Sequence, residues 1–144
     1  MSELTTQIKA LQSTPFFAEL PPEDLEGILR VGQPVSFTSG ETIVEQGALG
    51  DAMYLITAGV AEVDVGGRFH RLGQGDFFGE MALISQSKRM ATVKANETVE
   101  ALRIPADAFQ SFLLDHPSVA ISMLKALVVR LREVEQRIDA WMGT

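Results

Sequence analysis

The 144-residue chain has no cysteine. That removes disulfides, thiolate nucleophiles and Cys-ligated zinc, and it fits a reducing compartment. Histidine is scarce: only His70 and His116 are present. His70 has no His-x-His companion, so a metal site of clustered imidazoles and carboxylates is not expected, and both histidines read as surface residues. No Ser–His–Asp or Cys–His set can be assembled, so no nucleophile has a base and enzymatic turnover is not expected. No apolar run approaches the roughly 20 residues of a membrane span, and the N-terminus MSELTTQIKALQ lacks the apolar stretch of a secretory signal. A cytoplasmic protein without membrane attachment is the resulting expectation. Positive charge is also short, with 12 Lys+Arg against 19 Asp+Glu and a net charge of −7. That balance argues against direct nucleic-acid binding, since polyanions are held by dense positive charge.

The remaining composition is that of an ordinary globular protein, 46% hydrophobic and 22% charged. Its length fits a single domain spanning 1–144. Residues 3–30 read as N-terminal helices. Leu4, Ile8 and Leu11 share one face, Pro15 stops that pattern, and Phe16, Phe17 and Leu20 form an apolar patch. Pro21-Pro22-Glu23-Asp24 opens a second helix with acidic residues in its first turn. Leu25, Ile28 and Leu29 are its expected buried face, and Gly32 and Pro34 its end.

Residues 33–104 change character. Short β-prone runs cover 35–37, 41–44, 53–57, 60–65, 69–72, 92–95 and 99–104, separated by glycine turns. Gly66-Gly67 is a two-residue hairpin signal, and Gly73-Gln74-Gly75 reads as a turn, with no βαβ unit around it. Many short strands with frequent glycine turns predict an antiparallel β-roll or jelly-roll barrel. The fold class is therefore mainly β with flanking α. Residues 106–141 return to helix: 106–115, then a long C-terminal helix from about Ser118 to Trp141. In that helix Ala120, Leu124, Leu127, Leu131, Val134, Ile138 and Trp141 step alternately by four and three. Such a seam serves a coiled coil or a helix packed on its own barrel, and the period alone allows either.

The segment from Phe77 to Val93 carries the candidate chemistry. Gly79 lets backbone approach a ligand closely. The turn starting near Glu80 offers N–H groups to an anion, and Arg89 can pair with a phosphate. Glu80 can accept from a sugar hydroxyl. Together these suit a phosphate joined to a ribose. An Arg89–Glu80 surface ion pair beside an ordinary turn accounts for the same residues.

Phe78-Gly79-Glu80 followed by Arg89-Met90-Ala91 resembles the phosphate-binding cassette of the cyclic-nucleotide-binding domain family. Upstream, Gly40-Glu41-Thr42-Ile43, Gln46-Gly47, Asp51 through Ile56, and Gly59 are similar to that family's strand-and-glycine scaffold. The resemblance spans about residues 14–140, and the C-terminal helices look most like those of catabolite-activator-like effector domains, here without a DNA-reading helix-turn-helix. It implies a ligand site of Phe78, Gly79, Glu80, Met81, Ala82, Arg89, Met90 and Ala91. Gly79 and Glu80 would hold the ribose 2′-hydroxyl, Arg89 the cyclic phosphate, and the N–H groups of Ala82 and Ala91 would complete the cradle. The flanking glycine turns are expected to shape the barrel without touching ligand.

Met90 has no hydroxyl, where relatives often have a small or hydroxylated residue, which favours cAMP over cGMP, with cGMP still possible. Gln86 and Lys88 stand where relatives often carry glycine and proline. Trp141 is either a packing residue or a lid on the base; Met123, Leu127 and Leu131 are the other base-facing candidates. The implied function is a regulatory sensor that couples cyclic-nucleotide binding to movement of the C-terminal helix, with a homodimer partner or a regulated effector protein as its output. A degenerate, ligand-independent dimerisation module of the same fold is the alternative.

Overall fold

The computed structural model describes residues 3–14 and 17–142; Pro15 and Phe16, part of the expected helix stop and apolar patch, lie outside them. Two helices lead: α1 (Glu3–Gln12) and α2 (Pro22–Arg30). Eight strands follow: β1 (Gln33–Phe37), β2 (Thr42–Val44), β3 (Ala52–Ala58), β4 (Ala61–Val65), β5 (Arg68–Leu72), β6 (Phe77–Phe78), β7 (Thr92–Ala95) and β8 (Val99–Pro105). A one-turn 3-10 helix, Glu80–Leu83, sits between β6 and β7, and α3 (Ala106–Asp115) and α4 (Pro117–Trp141) close the described chain.

The strands pair antiparallel into two four-stranded sheets, ordered β1-β8-β3-β6 and β2-β7-β4-β5. This is the expected antiparallel β-roll with flanking helices. Between the sheets lies an apolar core of Ala52, Tyr54 and Ile56 from β3, Ala61 and Val63 from β4, Val93 and Ala95 from β7, and Val99 and Ala101 from β8. The alternate residues Met53, Leu55, Leu102 and Ile104 point the other way, into a second core made with the helices. Strands β3 and β8 are thus buried on both faces, and that is why they read as nearly continuous apolar runs.

The second core takes Leu11 from α1, Leu25, Ile28 and Leu29 from α2, Phe109 and Phe112 from α3, and Val119 and Met123 from α4. Phe17 meets Phe109 edge-on with ring centroids 5.8 Å apart. The expected buried face of α2 is present in full, whereas Leu4 of α1 is exposed while Ile8 and Leu11 pack. Pro34 does not belong to the end of α2. It lies inside β1, opposite Leu102, on an edge strand where a missing N–H is tolerated.

The Gly66-Gly67 hairpin forms as expected, with Val65 opposite Arg68 and both glycines at positive φ. Strand β6 was not anticipated: two phenylalanines are too short a run to show alternation. It is held by pairing with Tyr54 and Leu55 of β3 and by stacking of Phe78 on Tyr54, 5.1 Å between centroids.

On α4, Val119, Met123 and the partly buried Leu127 dock onto the body, a stripe of i, i+4, i+8 spacing. The heptad seam shares Leu127 with that stripe, and its other large residues lie on the adjoining face. Leu124, Leu131, Val134, Ile138 and Trp141 are exposed, Trp141 at 87%. No single described helix is long and apolar enough to cross a membrane.

Candidate functional site

The segment between β6 and β7 folds around a cavity of about 260 Å3 in the mouth of the roll. Each of the eight expected residues, Phe78, Gly79, Glu80, Met81, Ala82, Arg89, Met90 and Ala91, lines it. Sequence reasoning missed the opposite wall, made of Val44, Val63 and Val93 from three strands of the second sheet, together with Gly50.

The first half of the segment is set by Gly79. Its φ of +81° starts the 3-10 turn from a left-handed conformation that residues with a Cβ rarely adopt. Past the turn, Leu83 is fully buried in the helical core, and the Gln110 side-chain amide of α3 donates to its carbonyl at 3.2 Å. The Ala82 N–H, expected to be free for an anion, is already used within the turn, donating to the Gly79 carbonyl at 3.0 Å. Glu80 is half-buried on the cavity wall and Met81 is exposed at its rim.

The second half is pinned to the loop before β3. Gly50 N–H donates to Ser87 O at 2.9 Å, Arg89 N–H to Ala48 O at 2.7 Å, and Gly47 N–H to Arg89 O at 2.9 Å. The 47–50 loop is thus tied to the cassette, and Gly50 lines the cavity.

Arg89 is the central cation. Only 9% of its side chain is exposed. A guanidinium Nη2 donates to the carbonyl of Ala52 at 2.8 Å and lies 3.9 Å from the Asp51 carboxylate. The group is flanked by two glycines. A Cβ built on Gly79 would come within 2.5 Å of Arg89 Nη1, and one on Gly50 within 3.3 Å of its Cζ. The slot exists because both positions lack a side chain.

Burial lowers the Arg89 pKa from its usual range by penalising the charge, while Tyr54 and Asp51 oppose that shift. The Arg89–Glu80 ion pair considered from sequence does not form. Arg89 faces Asp51, and Asp51 is held in turn by Arg103 of β8 at 3.1 Å. Nothing in the sequence alone separated Asp51 from the other loop carboxylates.

The remaining candidates lie elsewhere. Met90 lines the rim and is 83% exposed. None of the base-facing candidates on α4 reaches the cavity lining. Met123 is buried in the helical core, Leu127 packs against it, and Leu131 and Trp141 face outward. His70 and His116 are exposed as expected, although His116 stacks on Phe112 at 4.3 Å between ring centroids. Among the described residues no group of three or more His, Asp or Glu is placed to hold a metal ion.

An enclosed guanidinium and a half-buried carboxylate, set in a small, mainly apolar cavity, can bind a molecule with one anionic group, a hydroxyl and a flat apolar part. A family model describing the cyclic nucleotide-binding domain matches residues 34–116, from β1 through α3. The chain belongs to that family. It is 37% identical over 106 residues to a cAMP-dependent protein kinase regulatory subunit of Aspergillus fumigatus, covering 72% of this chain and 26% of that protein. It is 31% identical over 135 residues to the Cyclic AMP receptor protein of Thermus thermophilus, covering 90% of this chain and 62% of that one. Among solved structures, the N-terminal domain of a transcriptional regulator from Streptomyces coelicolor superimposes with a TM-score of 0.76 at 28% identity, covering 88% of this chain and 95% of that domain. The chain thus spans about a quarter and somewhat under two thirds of these two curated relatives.

Proposed function

We propose that the chain binds cAMP in the cavity between residues 78 and 91 and serves as a regulatory module without catalytic turnover. The observation that carries this is Arg89: a guanidinium enclosed between two glycines, on the wall of an otherwise mainly apolar cavity. Burying such a charge is costly unless it is paired, and a singly charged cyclic phosphodiester is a partner of fitting size. Glu80 accepts the ribose 2′-hydroxyl, and the valine wall takes the purine. The absence of a hydroxyl at Met90 supports cAMP over cGMP. The names of the two curated relatives, a regulatory subunit and a cyclic AMP receptor, support the same reading.

Binding is coupled to the helices through Leu83. Phosphate drawn onto Arg89 tightens the 3-10 turn, and the turn moves Leu83 and, through Gln110, α3. The break at His116-Pro117 passes the shift to α4. Such a switch works only to the extent that ligand prefers one helix position over the other. The exposed seam of Leu124, Leu131 and Ile138 supports a second copy of this chain as partner, and it would serve equally if pairing were independent of ligand. The net charge of −7 supports a protein partner over nucleic acid.

Calorimetric titration of cAMP into wild type and Arg89→Ala tests the binding. Heat in wild type that is lost in the variant is expected; equal affinity in both, or no binding by wild type, refutes the reading. Sedimentation with and without cAMP separates a ligand-driven dimer from a permanent one.

A further inference from the structure

The cavity wall extends beyond the residues that line it. In the second sheet Val44 of β2 stands opposite Val93 of β7, Val93 opposite Val63 of β4, and Val63 opposite His70 of β5. Directly opposed residues of an antiparallel ladder project to the same face, with Cβ atoms about 4.5–5.5 Å apart. The three valines all line the cavity. The row therefore runs along its wall and ends, one strand beyond the lining valines, on His70 at the open edge of the sheet. The register is fixed by the two-residue hairpin: with Gly66-Gly67 as the turn, Val65 meets Arg68 and Val63 meets His70. A one-residue slip would send His70 to the other face.

Three valines offer a purine apolar area and no hydrogen bond. His70 is the polar end of that row, exposed, and its imidazole has no hydrogen-bond or ion-pair partner among the described residues. Of its neighbours, Arg68 next along the strand on the same face can only donate. Met90, on the cavity lining, has no donor to offer. A neutral imidazole carries one acceptor nitrogen and one N–H.

We infer that His70 is a specificity-determining residue of the cavity, accepting a hydrogen bond from the exocyclic amino group of adenine. This rests on the cyclic-nucleotide reading above.

The test compares two ligands, cAMP and the 3′,5′-cyclic phosphate of purine riboside, which lacks only the amino group. Each is titrated into wild type, His70→Ala and His70→Gln. His70→Ala is expected to weaken cAMP about three- to tenfold, the size of one net hydrogen bond, and to leave the purine riboside analogue unchanged. His70→Gln, whose amide oxygen accepts, recovers part of the loss. An equal loss for both ligands, no loss for either, or a loss confined to cGMP in a parallel titration overturns the assignment while the cyclic-nucleotide site stands. Failure of wild type to bind any of the three overturns both.

Discussion

The two halves of the cassette are held by different parts of the molecule. The Gly79–Leu83 half is rooted in the helical core, with Leu83 buried in the same cluster as Phe109 and its carbonyl bonded to Gln110. The Ser87–Ala91 half is tied by backbone hydrogen bonds to the 47–50 loop and runs directly into β7 of the roll. Glu80 thus sits on a part anchored in the helical core, and Arg89 on a part anchored to the sheets. A ligand that touches both bridges the helical core and the sheets. Under the proposed coupling, affinity depends mainly on the sheet side and the response mainly on the helix side.

That contrast can be broken at its strongest point first. Arg89→Ala removes a charge-assisted contact from an enclosed site. It is expected to reduce cAMP affinity by about a hundredfold or more, roughly 3 kcal/mol, read by calorimetry. The thermal midpoint without ligand should move far less, because removing the guanidinium also removes its desolvation cost. Leu83→Ala attacks the other half. It should cost about 2–3 kcal/mol in denaturant unfolding, as a fully buried leucine does. Affinity in the folded protein should fall less than for Arg89→Ala, and equal affinity losses would erase the distinction between the halves.

Glu80→Gln probes the ribose contact and should weaken cAMP about tenfold, roughly 1.4 kcal/mol, while leaving 2′-deoxy-cAMP nearly unaffected. A loss shared by both ligands would place Glu80 in turn stability instead. The smallest expected effect is that of Gln110→Ala. Stability should fall by about 0.5–1 kcal/mol, with affinity within roughly twofold of wild type. Hydrogen exchange in α4 should cease to respond to cAMP. If the response persists, Leu83 carries the coupling without Gln110.

What could be read from the sequence follows from the range of each signal. Glycine turns, proline breaks and the apolar face of α2 are local, and they place the helices and most strands within a residue or two. The cassette is equally local, since Gly79, Glu80 and Arg89 lie within one short segment. The opposite wall is not. Val44, Val63 and Val93 come together only through strand pairings, and a two-residue strand such as β6 is fixed by its partner on β3. Gly50 and Asp51 gain their place through an arginine some 40 positions away, to which no local spacing points. On α4 the periodicity correctly marked an apolar stripe, but it could not show that Val119 and Met123, on a neighbouring face, would dock instead.

Under the proposed coupling, the bend between α3 and α4 sets the length of the lever. The two helices meet at 109° across His116-Pro117, and the last α4 residue packed on the body is Leu127. From there to Trp141 the helix extends for about 21 Å at 1.5 Å per residue. A tilt of about 10° at its root would carry that end sideways by about 4 Å, close to the width of a side chain on the 5.4 Å helical pitch. Under the proposed coupling, that is the scale of shift that would bring the seam residues into or out of register with a partner.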